Sequence, residues 1–156
     1  MSPEHPESPE SAPPVPDRLD GLPSRLLGLA ALRAERVVGE KLAGADARRW
    51  HYAVLAVLAE SGPASQAELS RRTRIYRSDM VAVLDELAER GHVERAPDPD
   101  DRRRNVVTLT APGRRHLARL DRLIGEAQQE LLDPLTETQR DELVRLLTRL
   151  NAGWHP

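Results

Sequence analysis

The chain has 156 residues, enough for one domain of ordinary size and too few for two enzyme-sized ones. Hydrophobic residues make up 39% and charged residues 31%, but aromatics only 3%, and phenylalanine is absent. The core must therefore be built from Leu, Val and Ala, and aromatic platforms for single-stranded nucleic acid are not expected. The absence of cysteine removes disulfides, thiolate zinc sites and cysteine-based peroxide sensing.

The longest apolar runs, 26–32 and 53–59, are seven residues each and far short of a membrane span, so a cytoplasmic protein with no membrane partner is expected. Charge is uneven along the chain. Residues 1–20 hold five acids and one Arg, which leaves 21–156 with 22 basic against 20 acidic residues. Seven of the thirteen prolines fall within the first 23 residues, among Ser and Glu with almost no apolar side chains to offset ordering entropy. Residues 1–20 are thus expected to form a disordered acidic tail. Arg is nearly the sole base, Lys41 being the one Lys, and Arg forks suit phosphates and guanine edges.

Pro23 and Ser24 open a predicted helix running to about Gly44, with Leu26, Leu27, Leu29, Leu32, Val37 and Val38 around more than one face. Such a helix needs more than one packing partner. A second helix is predicted over 47–60, with Val54, Leu55 and Leu58 inward and Ser61-Gly62-Pro63 ending it. A short helix follows over 65–73, where Ser65 and Glu68 make a capping box in which the Ser accepts from the helix amides and the Glu returns the contact. After a turn at 74–76, Met80, Val83, Leu84 and Leu87 stand at i, i+3, i+4, i+7, and Gly91 stops this helix in the left-handed region. Beyond Gly91 the period falls to 2, so 92–96 and 105–110 read as two strands joined by a charged tip at 97–104. Pro112 opens another helix, with Leu117, Leu120, Ile124, Ala127 and Leu131 in one stripe, and Asp133-Pro134 breaks it. Thr136 and Gln139 cap a last helix, in which Leu143, Leu146, Leu147 and Leu150 form a heptad-like seam.

Helix, short turn, amphipathic helix and charged hairpin, in that order, describe a winged helix-turn-helix whose second helix enters a DNA major groove. Arg77 and Ser78 then open the recognition helix, where Arg77 can pair bidentately with a guanine and the Ser78 hydroxyl can contact DNA or cap the helix. Asp79 beside them is a helix-dipole residue rather than a base contact. In the hairpin tip, Arg102 and Arg104 are expected to meet phosphates, while Asp98 and Asp100 shape the turn. His92 and His116 stand alone in sequence with no close second ligand, so no metal is expected. A nucleophile elbow, a phosphate-binding Gly loop and a facing carboxylate pair are all missing, so neither an enzyme nor a cofactor is expected.

The stretch HYAVLAVLAESGPASQAELSRRTRIYRSDMVAVLDELAERGHVERAPDPDDRRRNVVTLTAPG, residues 51–113, resembles the MarR family (multiple antibiotic resistance regulators), above all in DPDDRRRNVVTLTAPG. The resemblance implies a mainly α fold with a small β-hairpin wing, a winged helix-turn-helix lobe joined to a helical dimerisation domain. Its parts would be an N-terminal dimerisation helix (21–46), the DNA-binding lobe (47–111) and C-terminal dimerisation helices (112–152). It implies a ligand-responsive repressor, an obligate homodimer on a pseudo-palindromic double-stranded operator. The outer helices agree, carrying more apolar surface than one small lobe can cover.

The resemblance also assigns roles in the wing and near the first lobe helix. Asp101 would hold the Arg103 guanidinium for entry into the minor groove, and Arg74 and Tyr76 replace the small residues usual at the turn, within the DNA-facing set. Trp50, His51 and Tyr52 lie close to where the family keeps an effector pocket, for a phenolic or other planar small molecule, although an aromatic core at a helix junction would use the same residues. The competing reading is a winged-helix module for protein interaction or dimerisation without DNA binding, against which the Arg-rich tip and Arg77 weigh.

Overall fold

The computed structural model describes residue 14 and residues 16–153. The chain divides at Arg33 into a small N-terminal unit and a larger one from Ala34 onward. Most of the expected acidic tail, 1–13 and 15, lies outside the described residues. Its end differs from expectation, because Asp17–Asp20 forms a short helix, α1, with Pro16 at its N-cap and Gly21 at its C-cap. The fixed φ of Pro16 and an Asp in the first turn favour this start. The helix α2, Pro23–Ala43, follows at the expected place, and Leu26, Leu27, Leu29 and Leu32 of the N-terminal unit are all exposed.

The larger unit contains the C-terminal part of α2 and the elements α3 (Arg49–Ser61), β1 (Ala64–Ser65), α4 (Gln66–Thr73), α5 (Arg77–Glu89), β2 (Val93–Pro97), β3 (Asn105–Leu109), α6 (Ala111–Leu132) and α7 (Glu137–Asn151). Its core joins Leu42 of α2, Val54, Leu55 and Leu58 of α3, Leu69 of α4, the α5 stripe Met80, Val83, Leu84 and Leu87, and Leu120 of α6. Each of these is at most 1% exposed. A Leu or Met buried so fully contributes roughly 1.5–3 kcal/mol. The 3.6-residue spacing read along 80–87 is thus the face that α5 turns inward.

The sheet has three strands in the order β1-β3-β2, all antiparallel, not the two expected. Val93 faces Leu109 and Pro97 faces Asn105, while Ala64 and Ser65 add a short edge beside Val107 and Val106. A two-residue strand carries no alternation to read, and only the approach of β3 makes it one.

The caps explain the boundaries. Ser65 Oγ accepts from Glu68 N at 3.3 Å, but the carboxylate of Glu68 does not return the contact; it pairs with Arg72 one turn on. An exposed Arg at i+4 competes with the cap for the same acid. Thr110, expected as the end of a strand, is the N-cap of α6 and accepts from Gly113 N at 3.0 Å. The full capping box at Thr136 and Gln139 forms as expected. Arg140 Nε then donates to the carbonyls of Leu132 and Leu135, both at 3.1 Å, which fixes the turn between α6 and α7. No residue of α7 is buried, and Val144, Leu146 and Leu150 are exposed.

Candidate nucleic-acid interface

Between α4 and α5 the chain turns through Arg74, which sits in the left-handed region at φ 58°. A non-glycine residue there costs about 1–2 kcal/mol. Two neighbours hold the turn: Ile75 is buried, and Thr73 Oγ1 donates to Leu69 O at 2.7 Å. Tyr76 is the N-cap of α5 and is 66% exposed. Arg77 and Ser78 follow on the first turn, both exposed.

This geometry brings part of the expected DNA-facing set together. Arg77 of α5, Arg71 of α4 and Arg104 at the wing line one cavity of about 520 Å³, with Gln66 at its edge and Asn105 beside Arg104. An adjoining cavity of about 430 Å³ is lined by Arg71, Arg74, Tyr76 and Arg77. Arg71, Gln66 and Asn105 were absent from the sequence-based set. The available signal was helical spacing: Ala67 and Arg71 stand at i, i+4 on the side of α4 opposite buried Leu69.

The arginines fall into two groups. Arg48, Arg72, Arg90 and Arg95 are paired with acids, whereas Arg71, Arg74, Arg77, Arg102 and Arg103 have no carboxylate partner among the described residues. Unneutralised guanidinium groups converging on one cleft make a site for a polyanion such as a nucleic-acid backbone.

The wing tip corrects one expectation. Asp101 does not hold the Arg103 guanidinium: its Oδ1 accepts from the Arg103 backbone N at 3.1 Å, and its Oδ2 lies 3.8 Å from Arg104 Nε. A short Asp side chain closes such a local turn more readily than it reaches a guanidinium two residues on. Asp98 accepts from Asp100 N at 2.9 Å and so shapes the turn. Arg102 and Arg103 are exposed at the tip, outside the cleft that holds Arg104.

The far half of α5 is tied on two sides. Arg95 of β2 meets Asp85 at 2.7 Å. Glu86 receives Arg48 on both oxygens, at 2.6 and 2.5 Å, and His51 Nε2 at 2.7 Å. His51 is 2% exposed and its Nδ1 accepts from Arg48 N at 3.1 Å, which leaves the ring proton on Nε2 for Glu86. Burial lowers the His51 pKa from its ordinary value, against the hydrogen bond to Glu86, which raises it. The hydrogen bonds from Arg48 and His51 lower that of Glu86.

Trp50, His51 and Tyr52 do not converge on one pocket. Consecutive helical residues project about 100° apart. His51 turns to α5, Tyr52 faces Asp121 of α6, and Arg49 lies 5.9 Å over the Trp50 ring. Burial, then the Asp121 carboxylate, raise the Tyr52 pKa. The larger nearby groove, about 500 Å³, is lined instead by Ala34, Glu35, Val38, Gly39 and Ala43 of α2 with Ala47, Arg48 and Arg49. His51 borders a smaller one of about 230 Å³. His92 and His116, distant in sequence, are stacked on each other.

An α4-turn-α5 unit followed by the β2–β3 hairpin, with an Arg-lined cleft between them, defines a winged helix-turn-helix protein. A sequence profile of the MarR family matches residues 46–104. The transcriptional repressor NicR of Pseudomonas putida is 34% identical over 110 residues, which cover 65% of this chain and 68% of NicR. A putative transcriptional regulatory protein for the hcr operon of Thauera aromatica is 34% identical over 99 residues, 64% of this chain; the match spans 60% of that relative's length. The transcriptional repressor CouR, solved bound to a 23-mer DNA duplex, superposes with a TM-score of 0.81 at 30% identity, over 86% of this chain and 95% of CouR. The chain belongs to the MarR family. No helix of the described residues is long and apolar enough to cross a membrane.

Proposed function

We propose that the chain is a cytoplasmic, sequence-specific transcriptional regulator that binds double-stranded operator DNA as a homodimer, and that it is a repressor released by a small molecule. The observation that carries this reading is the cleft in which Arg71, Arg77 and Arg104 converge without acidic partners in the first two cases. Arg77 reads a base edge from the first turn of α5, and Arg71 and Arg104 flank it on the phosphates. Arg74, Tyr76 and Ser78 border the same face, and Arg102 and Arg103 extend it along the wing. The DNA-bound CouR structure and the repressor NicR support the same direction.

Dimerisation follows from surface that one copy leaves bare. The exposed leucines of α2 and the wholly unburied α7 are apolar faces that a second copy would cover. A two-fold axis then sets two α5 helices about one DNA turn apart, roughly 34–36 Å, on a pseudo-palindrome.

The effector, a phenolic or other planar molecule, fits the groove beside Arg48 and Arg49 better than the three consecutive aromatic positions 50–52. Selecting bound sequences from randomised duplex DNA tests the main reading. A palindrome with steep salt dependence is expected, and recovery of no preferred sequence overturns it. Calorimetry with salicylate as probe, with and without the recovered duplex, tests release, since linkage requires DNA and ligand to weaken each other by the same factor.

A further inference from the structure

His92 belongs to three parts of the larger unit at once. Its backbone N–H donates to Leu87 O at 2.9 Å and closes the C-terminus of α5, next to Gly91 at φ 72°. Its carbonyl accepts from Thr110 N at 3.1 Å and closes the root of the wing. Its imidazole lies on that of His116 of α6, with ring centroids 4.2 Å apart and planes 17° from parallel. Gly113, one turn before His116, packs so closely that a Cβ there would stand 2.0 Å from His92 O. The end of α5, the wing root and the start of α6 therefore meet at one residue with no slack between them.

The arrangement is not a metal site. A metal lies in the plane of each imidazole that ligates it, and two rings stacked nearly parallel do not share one. It is instead sensitive to protonation. His92 Nδ1 is buried with no hydrogen-bond partner among the described residues, so a second ring proton would place an N–H where nothing accepts it. The charged groups around the pair are cationic: Arg90 from the end of α5 acts on both rings, Arg119 from α6 acts on His116, and His51 from α3 does so once it is protonated. Arg90 is answered by Asp46 at 3.3 Å, Arg119 donates to Gly44 O at 3.1 Å, and His51 is answered by Glu86, itself held by Arg48. Burial first, and these cations second, lower the pKa of both rings from the ordinary value.

We propose, on the DNA-binding reading above, that the His92–His116 stack is a positioning joint: neutral, it seats the wing and the end of α5 on α6, and protonation opens it and weakens DNA binding. Because the folded chain holds both groups below the ordinary histidine value of 6.5, the joint is intact above that pH and loosens as pH falls below it. The sign is distinctive. Acid adds positive charge to a protein, which by itself strengthens binding to a polyanion.

The test uses the full chain and the palindromic duplex recovered by selection at neutral pH. Between about pH 7.5 and 5.5, wild-type affinity should fall by about tenfold or more, and the double variant His92→Phe/His116→Phe, which keeps two stacked rings without a titrating nitrogen, should hold its neutral-pH affinity throughout. His92→Phe, which removes the buried unpartnered nitrogen alone, serves as the second variant should the double variant not fold. Amide hydrogen exchange in β2 and β3, corrected for the intrinsic effect of pH, reads the joint without DNA. Exchange should quicken in acid for wild type and not for the double variant, while helical content by circular dichroism stays constant. Failure of the selection would count against the DNA-binding reading, and the exchange measurement would still decide the joint. Wild-type affinity that holds or rises in acid, an equal fall in the double variant, unchanged exchange, or loss of helical content by about pH 5.5 would each overturn the proposal.

Discussion

The two ends of α5 are built on opposite plans. Its first turn carries Arg77 and Ser78, exposed and without an intramolecular ion pair among the described residues. Its last turns are tied at three places: Asp85 to Arg95 on β2, Glu86 to Arg48 and His51 at the start of α3, and the C-terminus to His92. A group that must meet a ligand is kept free of internal partners, because each such partner would have to be given up on binding. Placement of the free end is then delegated to the other end, where Asp85 and Glu86 are spent internally. The same division separates the wing tip, with Arg102 and Arg103 unpaired among the described residues, from the wing root, where the Thr110 hydroxyl and the His92 backbone are engaged.

This contrast can be broken most severely at the buried stripe. Leu84→Ala removes a side chain that is 0% exposed, and should cost roughly 2–5 kcal/mol in chemical denaturation, with DNA binding lost only as far as the fold is lost. A cost below about 1 kcal/mol would mean that α5 is not anchored by this face.

A smaller break is expected at the polar tie. Glu86→Ala leaves the buried His51 Nε2–H without an acceptor, for a destabilisation of about 1–3 kcal/mol at neutral pH. The folded pKa of Glu86 lies below its ordinary 4.5 and that of His51 below its ordinary 6.5. The His51 contribution is therefore present above 6.5 and fades as pH falls below it, and the Glu86 contribution is present above 4.5 and fades as pH falls below that. Melting curves across this range should show wild type losing stability in both steps, and Glu86→Ala lacking the lower one.

At the free end the readout reverses. Arg77→Ala should leave the melting temperature unchanged, weaken the preferred duplex by roughly 1–3 kcal/mol and relax preference at one base pair per half-site. Unchanged affinity would show that α5 does not read bases through its first turn. The smallest effect is expected at the wing tip. Asp101→Ala should change affinity by less than about 1 kcal/mol and resemble Arg104→Ala more than Arg103→Ala, because its carboxylate lies near the Arg104 side chain and touches only the Arg103 backbone. A full match to Arg103→Ala in a salt titration would restore the guanidinium-holding role that the geometry does not support.

Most of the architecture was legible in the residue pattern because it rests on local physics. Helical periodicity at 80–87, the break at Gly91 and the Thr136–Gln139 cap each depend on residues within a few positions of one another, and each stands where expected. Arg74, Tyr76, Arg77 and Arg104 were legible as a group because the helix-turn-helix order places them on one face. What could not be read depends on approach between distant segments. The strand β1 exists only because β3 lies beside it. Glu68 chose Arg72 over its cap, and Asp101 chose a backbone amide over a guanidinium, in contests between nearly equal local partners that packing and solvent exposure decide. The exposed cation Arg71, the His51–Glu86–Arg48 tie and the His92–His116 stack join residues from separate helices, and a sequence records side-chain chemistry without recording which side chains tertiary packing will bring into contact.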